Sequence, residues 1–184
     1  MSYVKKLCIC AFCIALCLVL PMALHPLGLG ALLSPMHIPV LLCGLLCGWP
    51  YGALCGIVGP ILSSILSGMP PATGLISMVP ELCAYGLFAG LILKFAHTGR
   101  LVADLYLALV PAMVLGRVVG GVARALFYLY TAQPYSVALW VSGYFVETLP
   151  GAVVHLILIP ALVLALTRAR LVPSRYALSG AQAG

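Results

Sequence analysis

The sequence predicts an all-α protein: a six-helix transmembrane bundle with the N and C termini on the cytoplasmic side. Three observations carry this. The 184 residues are 64% hydrophobic and 7% charged, with a mean hydropathy of +1.22, outside the range of soluble domains. The apolar residues fall into continuous runs rather than alternating, which excludes a transmembrane β-barrel. Of nine Lys and Arg residues, seven sit where one face of such a bundle would hold them. Lys5 and Lys6 precede the first run, Lys94 and Arg100 flank the gap after the fourth, and Arg168, Arg170 and Arg175 follow the sixth. Positive charge is retained on the cytoplasmic side during insertion, so the outer loops are expected near residues 25–35, 68–76 and 131–136.

The first helix is expected over 4–24, with Pro21 near its outer end. Its Lys-Lys start and apolar run resemble a signal peptide, but removing it would break the charge alternation, so it reads as a retained span. An uncharged outer loop with two prolines follows. Helices two and three, 36–49 and 51–67, are joined by Trp49-Pro50-Tyr51-Gly52 on the inner side, where Trp and Tyr suit a membrane interface. Gly44, Gly48, Gly52 and Gly56 recur every four residues. That spacing lets helix backbones approach closely, either within the bundle or against a partner. Helix four is expected over 77–95 with Pro80 in its first turn, where proline is tolerated. Helix five covers 101–131, and helix six covers 137–167 with a kink near Pro150-Gly151 or Pro160. Residues 176–184 read as a disordered tail, and the whole chain 1–184 as a single membrane domain.

The basic residues flank helices instead of forming a patch, so the pI near 9.0 does not indicate nucleic acid. All eight cysteines lie within apolar runs. Four on one helix cannot converge tetrahedrally on a metal, so they read as small polarisable side chains packed inside the bundle. No metal or cofactor is expected.

Function is therefore sought in the polar residues that fall inside the membrane. There are three acids, Glu81, Asp104 and Glu147. Asp104 starts helix five, where an acid suits the helix N-terminus. At about 1.5 Å per residue, Glu81 and Arg124 lie roughly 7 and 10 Å from the outer surface, and Glu147 and Arg117 roughly 15 and 20 Å. These depths suggest two pairs, Glu81 with Arg124 and Glu147 with Arg117. Either pair can be a structural lock; Arg117 with Glu147 is expected as a structural ion pair. The outer pair is expected to contact a polar ligand. His37 at the start of helix two, Tyr85 one turn inward of Glu81, Tyr128, Trp140 and Tyr144 would wall such a pocket, while His155 reads as a packing residue.

Catalysis is poorly supported: the sequence holds no carboxylate dyad, metal cluster, phosphate loop or nucleophile motif. One alternative is a small stand-alone proton-coupled secondary transporter using Glu147 and His155 as a relay, although six helices without an inverted repeat are few for alternating access. A structural bundle without a pocket is a third possibility.

Several stretches carry a family resemblance: Pro35-Met36-His37-Ile38-Pro39-Val40-Leu41-Leu42, Gly52 to Pro60, Ser63-Ser64, Gly68-Met69-Pro70-Pro71, Glu81-Leu82-Cys83-Ala84-Tyr85-Gly86, Gly116-Arg117 and Pro150-Gly151. With six helices and this length, the chain from about residue 5 to 172 resembles the substrate-binding S components of energy-coupling factor (ECF) transporters. The resemblance implies a non-enzymatic subunit that captures a vitamin or precursor at an outer-half pocket closed by the first and third loops. It further implies a transmembrane coupling protein and two cytoplasmic ATPases as partners, a bacterial plasma-membrane location, and docking through an Ala-x-x-x-Ala face matched here by Ala11 and Ala15. ATP hydrolysis in those partners is thought to topple the subunit in the membrane. The substrate residues expected on this basis are His37, Glu81, Tyr85, Arg124, Tyr128, Trp140, Tyr144 and Glu147, and position 155 departs from the Gln expected in close relatives.

Overall fold

A computed structural model describes residues 1–24, 26, 28, 34–131, 136–146 and 148–172, with the backbone alone at 137, 139, 144 and 145. The helices are α1 Tyr3–Leu24, α2 His37–Cys47, α3 Trp49–Ser67, α4 Ala72–Phe95, α5 Leu101–Tyr130, the short α6 Val137–Val141 continuing into a π-helical turn Ser142–Val146, and α7 Leu149–Arg168. Five of them, α1, α3, α4, α5 and α7, are long and apolar enough to cross a membrane, and no strand occurs among the described residues. Most of the loops expected at 25–35 and 131–136, and the expected tail, lie outside the described residues.

The second span departs from expectation. α2 has 11 residues, about 16 Å of helix, against the roughly 30 Å of a hydrocarbon core. It survives because protein surrounds it. Nine of its residues are buried, from His37 to Cys47, and α1, α3, α4 and α7 all contact it. Gly48 alone makes the turn into α3, at φ 98°. Trp49 and Pro50 therefore begin α3 instead of forming a connection, as suits proline in a first turn.

The glycine stripe serves this compaction. A Cβ placed on Gly44 or Gly52 would collide with the carbonyl oxygen of Gly86, and one on Gly56 with that of Leu82. Three backbones thus meet where side chains are absent, which is the internal use of the motif. On the opposite side of α2, the buried thiols of Cys10, Cys13 and Cys17 on α1 lie in one core cluster with Cys43, Cys47 and Cys55. Three of these thiols donate to main-chain carbonyls: Cys10 to Tyr51, Cys17 to Met36 and Cys47 to Lys6. All eight cysteines are free.

Two further boundaries are corrected. α4 begins at Ala72, five residues before the expected 77, so Pro80 is inside the helix and not in its first turn. Gly68-Met69-Pro70-Pro71 is the connection between α3 and α4, as the sequence reads. The serines of α3 hold the turn down: Ser63 donates to the Met69 carbonyl and Ser64 to that of Pro70, both at 2.8 Å. The sixth helix is not one kinked rod. The π turn ends at Val146 and α7 starts at Leu149 with Pro150 in its first turn, so the break precedes the Pro-Gly pair.

Asp104 does more than favour a helix dipole. It is fully buried, and its Oδ1 accepts from the Thr98 amide at 2.8 Å and the Thr98 hydroxyl at 2.7 Å. The carboxylate thereby ties the α4–α5 connection onto the end of the bundle that carries Lys94 and Arg100.

Candidate functional site

Because α2 is short, the bundle is left unfilled beyond its N-terminus. A cavity of about 230 Å³ occupies that space. Ser34 and His37 line it from the start of α2, Glu81 and Tyr85 from α4, and Arg117 from α5. His155 of α7 closes the wall. Met78 is the one large apolar side chain among the described lining residues. A polar interior in so apolar a chain is costly unless its groups satisfy one another or a solute.

The described polar groups do satisfy one another in part. His37 Nδ1 lies 3.1 Å from the carbonyl oxygen of Ser34, and that carbonyl also accepts the His37 amide at 3.0 Å. These bonds hold Ser34 at a left-handed φ of 42°, a conformation unfavourable for serine by about 1 kcal/mol. His37 Nε2 is 3.5 Å from Glu81 Oε1. Tyr85, one turn from Glu81 on α4, accepts from Arg117 Nε at 3.2 Å. Polar contacts thus join α2 to α4 through His37 and Glu81, and α4 to α5 through Tyr85 and Arg117. The His37 ring meets Tyr85 edge-on at 4.8 Å and stacks on His155 at 5.8 Å. α2 also turns its N-terminus, the positive end of its dipole, toward this space.

The acid–base partners differ from the depth estimate. That estimate started helix four at 77; with the start at Ala72, Glu81 lies nine residues along, about 14 Å. Its carboxylate faces Gly120, where an added Cβ would come within 2.8 Å of it. Gly120 is about one turn from Arg117 and one from Arg124. Among the described residues Glu81 makes its close contact with His37, in place of the expected pair with Arg124. The two arginines also differ in depth. Arg117 is 9% exposed, whereas Arg124 is exposed and lies with its guanidinium 5.9 Å from the Tyr128 ring centre. A second cavity of about 200 Å³ adjoins the first, sharing Gly74, Ser77 and Arg124 with it.

Of the residues expected at a site, the structure brings His37, Glu81, Tyr85 and Arg124 onto one cavity and places Tyr128 on the adjoining one. Trp140 packs against Gly121 of α5 and is not among the described walls of either cavity. Glu147 and the side chain of Tyr144 lie outside the described residues, so the Arg117–Glu147 pair does too; the described partner of Arg117 is Tyr85. Several lining residues escaped the sequence reading. His155 is 2% exposed and reads from sequence as core, and Ser77 and Thr148 carry no distinguishing spacing. Gly143 reaches the cavity from the π turn, a distortion often found beside functional sites. Ala11 and Ala15 are exposed on α1, on the side opposite the thiols that face the core.

A helical multi-pass membrane protein that keeps a charged, solute-sized cavity off its short central helix belongs among proteins that bind or move solutes. Residues 5–163 match the family described as ECF transporter, substrate-specific component. The chain belongs to this family, whose S components are the substrate-specific subunits of ECF transporters. Membership implies a small-molecule substrate and association with an ECF coupling subunit and ATPases. No curated protein and no solved structure matches the chain.

Proposed function

We propose that this S component captures a vitamin or vitamin precursor with high affinity in the cavity beyond α2 and delivers it to an ECF-type importer. The observation that carries this is the polar wall of Ser34, His37, Glu81, Tyr85 and Arg117 around an unfilled space of about 230 Å³. A purely structural polar lock would fill its own space. This one leaves room for several water volumes of about 30 Å³ each, enough for a compact polar molecule. His37, Glu81 and Tyr85 contact the solute in this reading, with Arg117 on the same wall. Arg124 and Tyr128 lie on the approach. The guanidinium groups favour a solute bearing a carboxylate or a polar heteroaromatic ring, of the pantothenate or niacin kind.

The cavity end of the bundle faces outward and both termini face the cytoplasm of a bacterial cell, as the basic flanks Lys5, Lys6, Lys94 and Arg168 favour. The subunit has no catalytic residue of its own. Ala11 and Ala15 dock on the transmembrane coupling subunit, and ATP hydrolysis resides in two partner ATPases. The test is a thermal-shift screen of vitamins and precursors against the purified protein, joined to co-purification with the coupling subunit. Stabilisation by one compound class, and loss of co-purification in Ala15→Trp without loss of that stabilisation, supports the reading. No stabilisation by any of them removes it.

A further inference from the structure

We propose that His37 Nε2 and Glu81 Oε1 form a two-acceptor clamp for an amino group carried on a flat ring, so that the solute of this site is an amino-bearing heteroaromatic. The proposal rests on the inner cavity being the substrate site.

The roles of the two His37 nitrogens follow from the first turn of α2. Nδ1 lies 3.1 Å from the Ser34 carbonyl oxygen, which can only accept, so Nδ1 carries the hydrogen. In the neutral ring Nε2 then holds a lone pair. Nε2 lies 3.5 Å from Glu81 Oε1, and among the described residues no hydrogen bond reaches it. The carboxylate is fixed from its other side. An added Cβ on Gly120 would come within 2.8 Å of Oε2, so Oε2 is turned toward α5 and Oε1 toward α2. Two acceptors thus converge with no hydrogen between them. In a buried setting such a pair is unfavourable until a donor enters.

A single NH2 group, about 2.9 Å from each acceptor, gives one hydrogen to Nε2 and the other to Oε1. An alcohol has one hydrogen and satisfies only one of them, and a carboxylate brings further acceptors. The neighbouring walls are flat. The His37 ring meets Tyr85 edge-on at 4.8 Å and lies nearly parallel to His155, at 19°. All three residues line the cavity, and aromatic walls favour a planar guest. The space of about 230 Å³ equals roughly eight water volumes of about 30 Å³, the size of one substituted six-membered ring.

Two measurements on the purified protein test the clamp without a known substrate. The first is nitrogen NMR of isotope-labelled histidine at neutral pH. His37 is expected to show a protonated Nδ1 and a bare Nε2, its signals identified by their loss in His37→Phe or their displacement in Glu81→Gln. A ring protonated at both nitrogens, or at Nε2 alone, overturns the proposal. The second compares binding of aminopyrazine and methylpyrazine, which share a ring and differ by NH2 against CH3. Aminopyrazine is expected to bind at least about tenfold more tightly, the effect of one hydrogen bond to a charged acceptor, and to displace the Nε2 signal. His37→Phe, which keeps a ring beside Tyr85 and His155, is expected to reduce that preference, and Tyr128→Phe to leave it. Equal binding of the two compounds, binding of neither, or a preference unchanged in His37→Phe overturns the clamp. If a micronutrient still stabilises the protein in that case, the donor assignment alone is lost and the inner site stands.

Discussion

His37 Nε2 lies 3.5 Å from Glu81 Oε1, and through this contact the first turn of α2 is joined to the middle of α4. Both residues wall the larger cavity, so the pair holds the site together and also offers its polar edges to whatever enters. Removing one partner leaves the other buried without its counterpart, which is more costly than an exposed pair would be. Glu81→Gln keeps the shape and removes the charge. It should weaken binding of any stabilising compound at least about tenfold, since hydrogen bonds to a buried charge contribute roughly 1.5–3 kcal/mol. Titration calorimetry on the variant checks this.

Tyr85→Phe separates two roles of one side chain. The ring contact with His37 at 4.8 Å is retained, while the hydroxyl that accepts from Arg117 is lost. Arg117 then loses an acceptor in a buried setting, at about 1–3 kcal/mol. Thermal unfolding should show a lowered Tm, and solute affinity should fall more than in Tyr128→Phe, where the hydroxyl is not part of this chain of contacts.

Gly86 sits where α2, α3 and α4 come closest. Gly86→Ala places a methyl against the backbone of Gly52 and should destabilise the protein by about 1–3 kcal/mol, the usual range for overpacking. Gly74→Ala is the matched control, because its nearest neighbours are side-chain atoms of Pro70 and Pro71 at 3.7–3.9 Å. It should be close to neutral in the same thermal assay.

Asp104→Ala removes the acceptor of two bonds from Thr98. A loss of about 1–3 kcal/mol in stability is expected, with solute affinity unchanged, since Asp104 and the cavity are at opposite ends of the bundle. A drop in affinity comparable to that of Glu81→Gln would contradict the placement of the site.

The helical spans were legible because lipid admits few backbone solutions and charge marks their flanks. His37, Glu81, Tyr85 and Arg117 were conspicuous for a related reason: polar groups in an apolar run require an explanation. The partner of Glu81 was not legible. Depth was counted from a helix start at 77, and the five residues Ala72 to Ile76 already belong to α4, which moves Glu81 level with Gly120. The Trp-Pro pair in the sequence ends helix two at 49; Gly48 and its positive φ place the stop at Cys47 instead. His155 was read as core because burial and cavity lining look alike in sequence. The glycine stripe carried the right physics, close backbone approach, but only the structure identifies Gly86 and Leu82 as the backbones approached.

The most direct test of the central claim is solute-induced stabilisation of the purified protein and of Glu81→Gln, measured side by side across a panel of vitamins and precursors. A compact, acid-bearing or polar heteroaromatic compound is expected to raise the Tm of the wild type, and the rise to be lost or strongly reduced in Glu81→Gln. A compound that stabilises both proteins equally would place the binding site elsewhere in the bundle.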